Sequence, residues 1–297
     1  MNSLIRLLAA AGTLAAFTFC AAASSADQSA PAAASSAQQQ ASAMAAMHHD
    51  DAPVASPAAQ QAVPVGSVEG RELVYGRAGG KELKGYFVKP ARAEADLPGV
   101  IVFHEWWGLN DNIRSMADQL AAQGYLVLAV DLYGGHNADK PDAAEALMNT
   151  ALSDIPAVDA NIQAAYDYLK NTAKAGRIGT LGWCFGGSMS FEAAQVLSGR
   201  TAATVIYYGF VNDKKEQLEK LKAPVLGFFG GKDGGIPAAT VQGFQKGLED
   251  LGQHPRIHIY PDAGHAFANP SGKNYRKQDA DDAWKHTLQF LNEKLKT

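Results

Sequence analysis

The sequence predicts an α/β protein: a mostly parallel, doubly wound sheet with helices on both faces and an antiparallel hairpin at its N-terminal edge. Three observations predict it. Short runs that are apolar throughout, at residues 99–103 and 125–130, read as strands covered on both faces. These runs alternate with stretches whose apolar residues recur at helical spacing, which implies parallel strands joined by right-handed crossovers. At the start, Glu72-Leu73-Val74-Tyr75 and Leu83-Lys84-Gly85-Tyr86-Phe87-Val88 flank Ala78-Gly79-Gly80, a hairpin signal. The 297 residues, 47% hydrophobic and 19% charged, suffice for one sizeable core. A net charge of -4, with no block of Lys or Arg, gives no footprint for nucleic acid.

Before the domain stand two other segments. Residues 7–19 form an apolar stretch shorter than the ~20 residues of a membrane span, followed by small residues. Residues 1–23 read as a secretory signal, with cleavage as late as Ala26. A lipoprotein reading through Cys20 is disfavoured by the bulky Phe19 before it. Residues 24–64 are rich in Ala, Ser and Gln, with little to bury, and read as a disordered linker. Within them, Met47-His48-His49-Asp50-Asp51 could hold a metal loosely; it is read as a solvated polar patch.

The folded domain is expected over 65–297. Asn110 can cap a helix with Ile113, Met116, Ala117 and Leu120 on one face, ended by Gly124. A short helix is expected over 141–152. A second carries Val158, Ile162, Ala165, Tyr166 and Leu169 at helical spacing. Strands follow at 178–181, 203–208, 225–229 and 257–260. Helices are expected over 188–197, over 213–221, through Val241, Phe244, Leu248 and Leu251, and from about 279 to 295.

The chemistry centres on Gly182-Trp183-Cys184-Phe185-Gly186-Gly187. Strand, tight turn and helix is the layout of a nucleophile elbow, with cysteine in the usual place of serine. Gly182 and Gly186 suit crowded positions where a side chain would clash. The helix that follows points its N–H groups and dipole at the thiol, which favours thiolate. In doubly wound sheets functional groups collect at the carboxyl ends of strands. Glu105, Cys184, Asp233 and His265 all fall there, and the last three follow the order nucleophile, acid, histidine. In that scheme His265 accepts the thiol proton and Asp233 holds its tautomer. The leader removes Cys20, so Cys184 is left as a lone thiol with no internal disulfide open to it. His136, His254, His258 and His286 read as surface or packing residues.

The chain resembles the dienelactone hydrolase family of α/β-hydrolases. The resemblance rests on His104-Glu105-Trp106-Trp107-Gly108-Leu109-Asn110, Asp131-Leu132-Tyr133, the cysteine elbow, Tyr207-Tyr208-Gly209, Gly230-Gly231-Lys232-Asp233 and Ala263-Gly264-His265-Ala266-Phe267. It implies the α/β-hydrolase fold and a Cys184, Asp233, His265 triad, with no metal or organic cofactor. It also implies hydrolysis of a carboxylic ester or lactone, in the manner of a carboxymethylenebutenolidase, through an acyl-cysteine. Glu105 matches a glutamate that the family places near the nucleophile, where it can keep the resting thiol protonated and spare it from oxidation. The backbone N–H groups of Phe185 and Trp106 are the expected oxyanion donors. Trp107, Tyr133, Phe267 and Asn269 are the expected substrate wall. In one place the sequence departs from the family pattern. His265-Ala266-Phe267-Ala268-Asn269 has asparagine where dienelactone-cleaving members carry a carboxylate-gripping arginine, and residues 154–168 lack the second arginine. Arg114, on the first helix after the hairpin, is either a substitute or a solvated residue.

These readings together describe an exported, monomeric hydrolase of small esters or lactones, periplasmic or secreted, with no nucleic-acid partner and no membrane span in the mature chain. Two alternatives are a non-catalytic small-molecule-binding protein on the same fold and a redox-sensing thiol protein.

Overall fold

The computed structural model describes residues 36–48, 67–92 and 96–296. The expected leader, residues 24–35 and 49–64 of the expected linker, and the first two residues of the expected domain lie outside the described residues.

The first described element overturns part of the linker reading. Residues Ser36–His48 form a helix, α1. Alanine, glutamine and methionine are strong helix formers. Ala41, Met44 and His48, spaced by three and four, put one face of it against the rest of the protein, and all three are buried.

Next come β1 (Val68–Ala78) and β2 (Lys81–Pro90), an antiparallel pair. Gly79 and Gly80 both have left-handed φ, +56° and +79°, as a two-residue turn matching strand twist requires. Then β3 (Gly99–Phe103), α2 (Asp111–Ala122) and β4 (Leu126–Val130) follow. Every residue of β3 and of β4 is buried, as their unbroken apolar sequences require. The Asn110 side chain accepts the Ile113 N–H at 3.3 Å and caps α2, and Gly124, at φ +91°, turns the chain out of it.

After α3 (Pro141–Leu152), the helix α4 (Ile155–Asp167) ends in a wider turn over Tyr168–Thr172, where the Ala173 N–H reaches the Tyr168 carbonyl. Then β5 (Ile178–Trp183), α5 (Phe185–Val196) and β6 (Ala203–Tyr207) run in sequence. The helix expected over 213–221 shrinks to α6 (Lys215–Leu218). Asn212 Oδ1 accepts the Lys214 N–H at 3.0 Å and delays its start, while Pro224 stands just beyond it. The chain closes with β7 (Val225–Gly230), α7 (Ala238–Asp250), β8 (Arg256–Tyr260) and α8 (Lys277–Leu295).

One eight-stranded sheet results, in the order β1-β2-β4-β3-β5-β6-β7-β8. Only β1 with β2 and β2 with β4 are antiparallel; the other neighbours are parallel. The expected edge hairpin and doubly wound sheet are both present. Against β6 and β7, the α7 residues Val241, Phe244 and Leu248 bury fully with Phe191 of α5. Each such side chain contributes about 1.5–3 kcal/mol. The order reverses between β4, β3 and β5, so the loops after β3 and β5 meet at the carboxyl end of the sheet. Among the described residues, no helix is long and apolar enough to cross a membrane.

Candidate active site

Cys184 sits between β5 and α5 in a conformation few side chains adopt, φ +58° and ψ -120°. Such strain persists only where the surroundings impose it. Here the flanking glycines allow the backbones to close in. A Cβ on Gly182 would strike the Gly186 carbonyl, and one on Gly186 would strike the carbonyls of Phe103 and His104. The Cys184 N–H is fixed by the Tyr207 carbonyl at 3.0 Å. The turn therefore lifts the sulfur to the carboxyl end of the sheet, at the start of α5.

There the sulfur meets the two expected N–H groups. Those of Phe185 and Trp106 both hydrogen-bond it, one from the elbow and one from the loop after β3. Burial pushes the thiol well above its ordinary range, the Glu105 carboxylate adds to that, and the two N–H groups oppose it. At neutral pH the resting group is a thiol.

Asp233 and His265 come from the loops after β7 and β8. Asp233 Oδ1 accepts the N–H groups of Gly235 and Ile236, both at 3.0 Å. That turn aims Oδ2 at His265 Nδ1, 2.7 Å away. With Nδ1 engaged, the buried Nε2 of His265 has no hydrogen-bond partner among the described residues. A ring nitrogen of His265 and the Cys184 sulfur lie within 4.8 Å of each other. The three residues that the sequence aligned by order are thus brought together.

Glu105 and Asn269 are joined. Asn269 Nδ2 donates to Glu105 Oε2 at 2.7 Å, and Asn112 Nδ2 reaches Asn269 Oδ1 at 3.4 Å. Asn269, expected in the substrate wall, therefore holds the carboxylate that acts on the Cys184 thiol. The Tyr208 phenol also adjoins Glu105; burial, then this carboxylate, push it far above its usual range. Tyr133 lies close enough to Cys184 for the thiolate to raise its phenol, after burial, and its ring stacks on Phe185 with centroids 5.7 Å apart. Phe267 differs from expectation. It is fully buried edge-on to Tyr208 and Tyr260, a packing residue between strand-end loops. Arg114 does not replace the family's arginine: it reaches Glu72 at 2.7 Å and the Leu109 carbonyl at 2.9 Å, on a separate cavity that Cys184 does not line.

Two contributors were not assigned a role from sequence. His104 is wholly buried, and burial holds its pKa down and the ring neutral. Its Nε2 accepts the Leu132 N–H at 3.1 Å, so Nδ1 carries the proton and donates to the Glu105 carbonyl, 2.6 Å away. This ring fastens the loop after β3, which carries Trp106, to the loop after β4.

The second is α1. Met44 Sδ lies 3.1 Å and His48 Nε2 3.5 Å from the Cys184 sulfur. The His48 ring stacks on Trp106 with centroids 4.4 Å apart, and meets Trp107 at 6.3 Å and His265 at 5.1 Å edge-on. Met47 packs over Gly235. So the indole wall foreseen for substrate is covered by a segment of the chain itself, and Cys184 is 0% exposed. Alongside α1, a groove of about 720 Å³ reaches His265 between Met47, Lys232, Asp262 and Asn274.

The Dienelactone hydrolase family model matches residues 83–295. Protein usf of Aquifex pyrophilus is 32% identical over 231 residues, which cover 75% of this chain and 99% of that protein. The Salmonella typhimurium protein named "Putative carboxymethylenebutenolidase" is 30% identical, over 81% of this chain and 94% of its own length. Among solved structures, the Klebsiella pneumoniae protein named "Putative Dienelactone Hydrolase" superposes with a TM-score of 0.66 at 29% identity, over 76% of this chain and 99% of that one. A match over most of the folded chain, joined to the cysteine elbow and the Asp233–His265 pair, shows that the protein is a hydrolase-fold chain that belongs to the dienelactone hydrolase family.

Proposed function

We propose that the protein hydrolyses carboxylic esters or lactones through an acyl-cysteine on Cys184. One observation carries the reading: the Cys184 sulfur lies against two converging backbone N–H groups, with an Asp-oriented histidine beside it. His265 Nε2 takes the thiol proton as the sulfur attacks the substrate carbonyl. Asp233 stabilises the imidazolium so formed. The carbonyl oxygen, now anionic, takes the place of the resting sulfur at the N–H groups of Phe185 and Trp106. The imidazolium returns its proton to the leaving alkoxide, which for a lactone stays attached as the ring opens. Water, deprotonated by His265, then cleaves the thioester, releases the acid and restores the thiol.

A carboxylate on the substrate brings little preference. Asn269 is engaged with Glu105, Arg114 is engaged elsewhere, and Lys232 at the groove pairs with Asp262 at 2.8 Å. The indoles of Trp106 and Trp107 favour apolar or aromatic groups once α1 has moved off them. Export to the periplasm or beyond, after removal of residues 1–23, and action as a monomer complete the proposal. Export rests on the leader-like sequence and on the lone cysteine.

The test is turnover of short acyl esters, enol lactones and cyclic dienelactones by the mature protein beside Cys184→Ala. A fall of about a thousandfold or more in the variant is expected, with an acyl adduct on Cys184 trapped in the parent. Equal turnover by both would end the covalent reading.

A further inference from the structure

Helix α1 sets a thioether and an imidazole beside a thiol and a second imidazole. His48, Cys184 and His265 each offer a donor atom, and these atoms lie within 4.8 Å of one another. Met44 Sδ is 3.1 Å from the Cys184 sulfur. All four residues are nine-tenths or more buried. Sulfur and nitrogen ligands of a tetrahedral ion, at about 2.3 and 2.0–2.1 Å from it, stand about 3.5 Å apart. The Cys184 sulfur and His48 Nε2 are 3.5 Å apart.

The surroundings suit a metal ligand set. His265 is turned by Asp233, the carboxylate–histidine arrangement that orients metal-binding imidazoles, and its other nitrogen is buried without a partner among the described residues. His48 is seated by its stacking on Trp106. No carboxylate is among these donors, which speaks against magnesium and calcium. A thioether beside a thiolate selects soft ions, copper(I) above all, whereas zinc(II) would use the thiolate and imidazoles alone.

We propose that Cys184, His48 and His265, with Met44 beside them, form a soft-metal site for copper(I), and that the bound ion clamps α1 over the nucleophile. Binding exchanges the sulfur–hydrogen bond for a sulfur–metal bond; the proton leaves to solvent and no electron is transferred. The ion then joins α1 to the loops after β5 and β8, so the metal-loaded protein is closed to substrate. Copper occupancy can be read without substrate, so this proposal and the hydrolase reading fail separately.

The experiment titrates the metal-free full chain, without oxygen, with copper(I) held by a chromophoric chelator, and in parallel with zinc(II). One copper(I) per chain is expected. It should protect Cys184 from iodoacetamide, stop ester turnover at one equivalent, and be reversed by excess chelator. His48→Ala should weaken copper(I) binding at least tenfold while the metal-free variant keeps or gains turnover. Met44→Leu, nearly the same size, should weaken copper(I) severalfold and leave zinc(II) unchanged. His49→Ala should leave both unchanged. Failure to bind one equivalent, or unchanged copper(I) affinity in both His48→Ala and Met44→Leu, overturns the site. Equal inhibition of His48→Ala and parent by one equivalent would show the metal acting on Cys184 and His265 alone, and overturns the clamp.

Discussion

At the scale of single residues, Glu105 acts on the Cys184 thiol by charge. Its carboxylate, after burial, keeps the Cys184 thiol protonated. Removing that negative charge lowers the thiol's pKa and increases thiolate at any given pH. Glu105→Gln should therefore move the midpoint of the iodoacetamide rate–pH curve of Cys184 downward, and the shift of that curve is the measurement. Asn269→Arg bears on the same group. The new guanidinium would meet Glu105 before any substrate, so it should also lower that midpoint rather than create a carboxylate grip. Gly186→Ala probes the elbow. Its methyl would collide with the carbonyls of Phe103 and His104, at a cost of about 1–3 kcal/mol, read as a drop in melting temperature together with weakened turnover. The elbow was legible because glycines at fixed offsets from a cysteine have few other uses. Asn269 was not, because its partner lies 164 positions away in sequence.

At the scale of elements, strands and helices followed from local pattern wherever the apolar residues were bulky. The buried runs of β3 and β4 and the capped α2 illustrate this. Helix α1 escaped because its buried face is thin: Ala41, Met44 and His48. Its Ala and Gln positions resemble a linker's composition, and the spacing of three and four was the only signal. The helix expected over 213–221 is shorter in α6, where the side-chain turn of Asn212 overrides periodicity. Ala41, Met44 and His48 are the buried residues of α1 among its described side chains, so one substitution there should loosen it. Ala41→Glu puts a carboxylate where the side chain is 0% exposed, and burying an unpaired charge costs several kcal/mol. Alkylation of Cys184 should speed up about tenfold or more, and turnover at low substrate should rise, while the melting temperature falls by only a few degrees. Unchanged alkylation would mean that α1 does not limit access.

For the whole molecule, the fold prescribes where charge can be read. The sheet's carboxyl end gathers Cys184, Asp233, His265 and Glu105, while Lys232 at the groove is already paired with Asp262 and Arg114 with Glu72. A charge-assisted hydrogen bond to a substrate carboxylate would contribute roughly 1.5–3 kcal/mol, or ten- to a hundredfold. Without one, kcat/KM for a free acid and for its methyl ester should agree within about tenfold. A hundredfold preference for the acid would require a cation in the site.

Because α1 and the catalytic domain are one chain, the occupant of the site never dilutes away. Its local concentration is set by that covalent connection, and intramolecular partners reach values on the order of millimolar. A substrate is thus always in competition with a built-in rival, and the measured affinity is the intrinsic one divided by the open fraction: a protein open about one hundredth of the time binds about a hundredfold more weakly than its pocket allows. Specific activity should then be independent of protein concentration, and a KM in the millimolar range would describe the equilibrium of the helix as much as the fit of the ester.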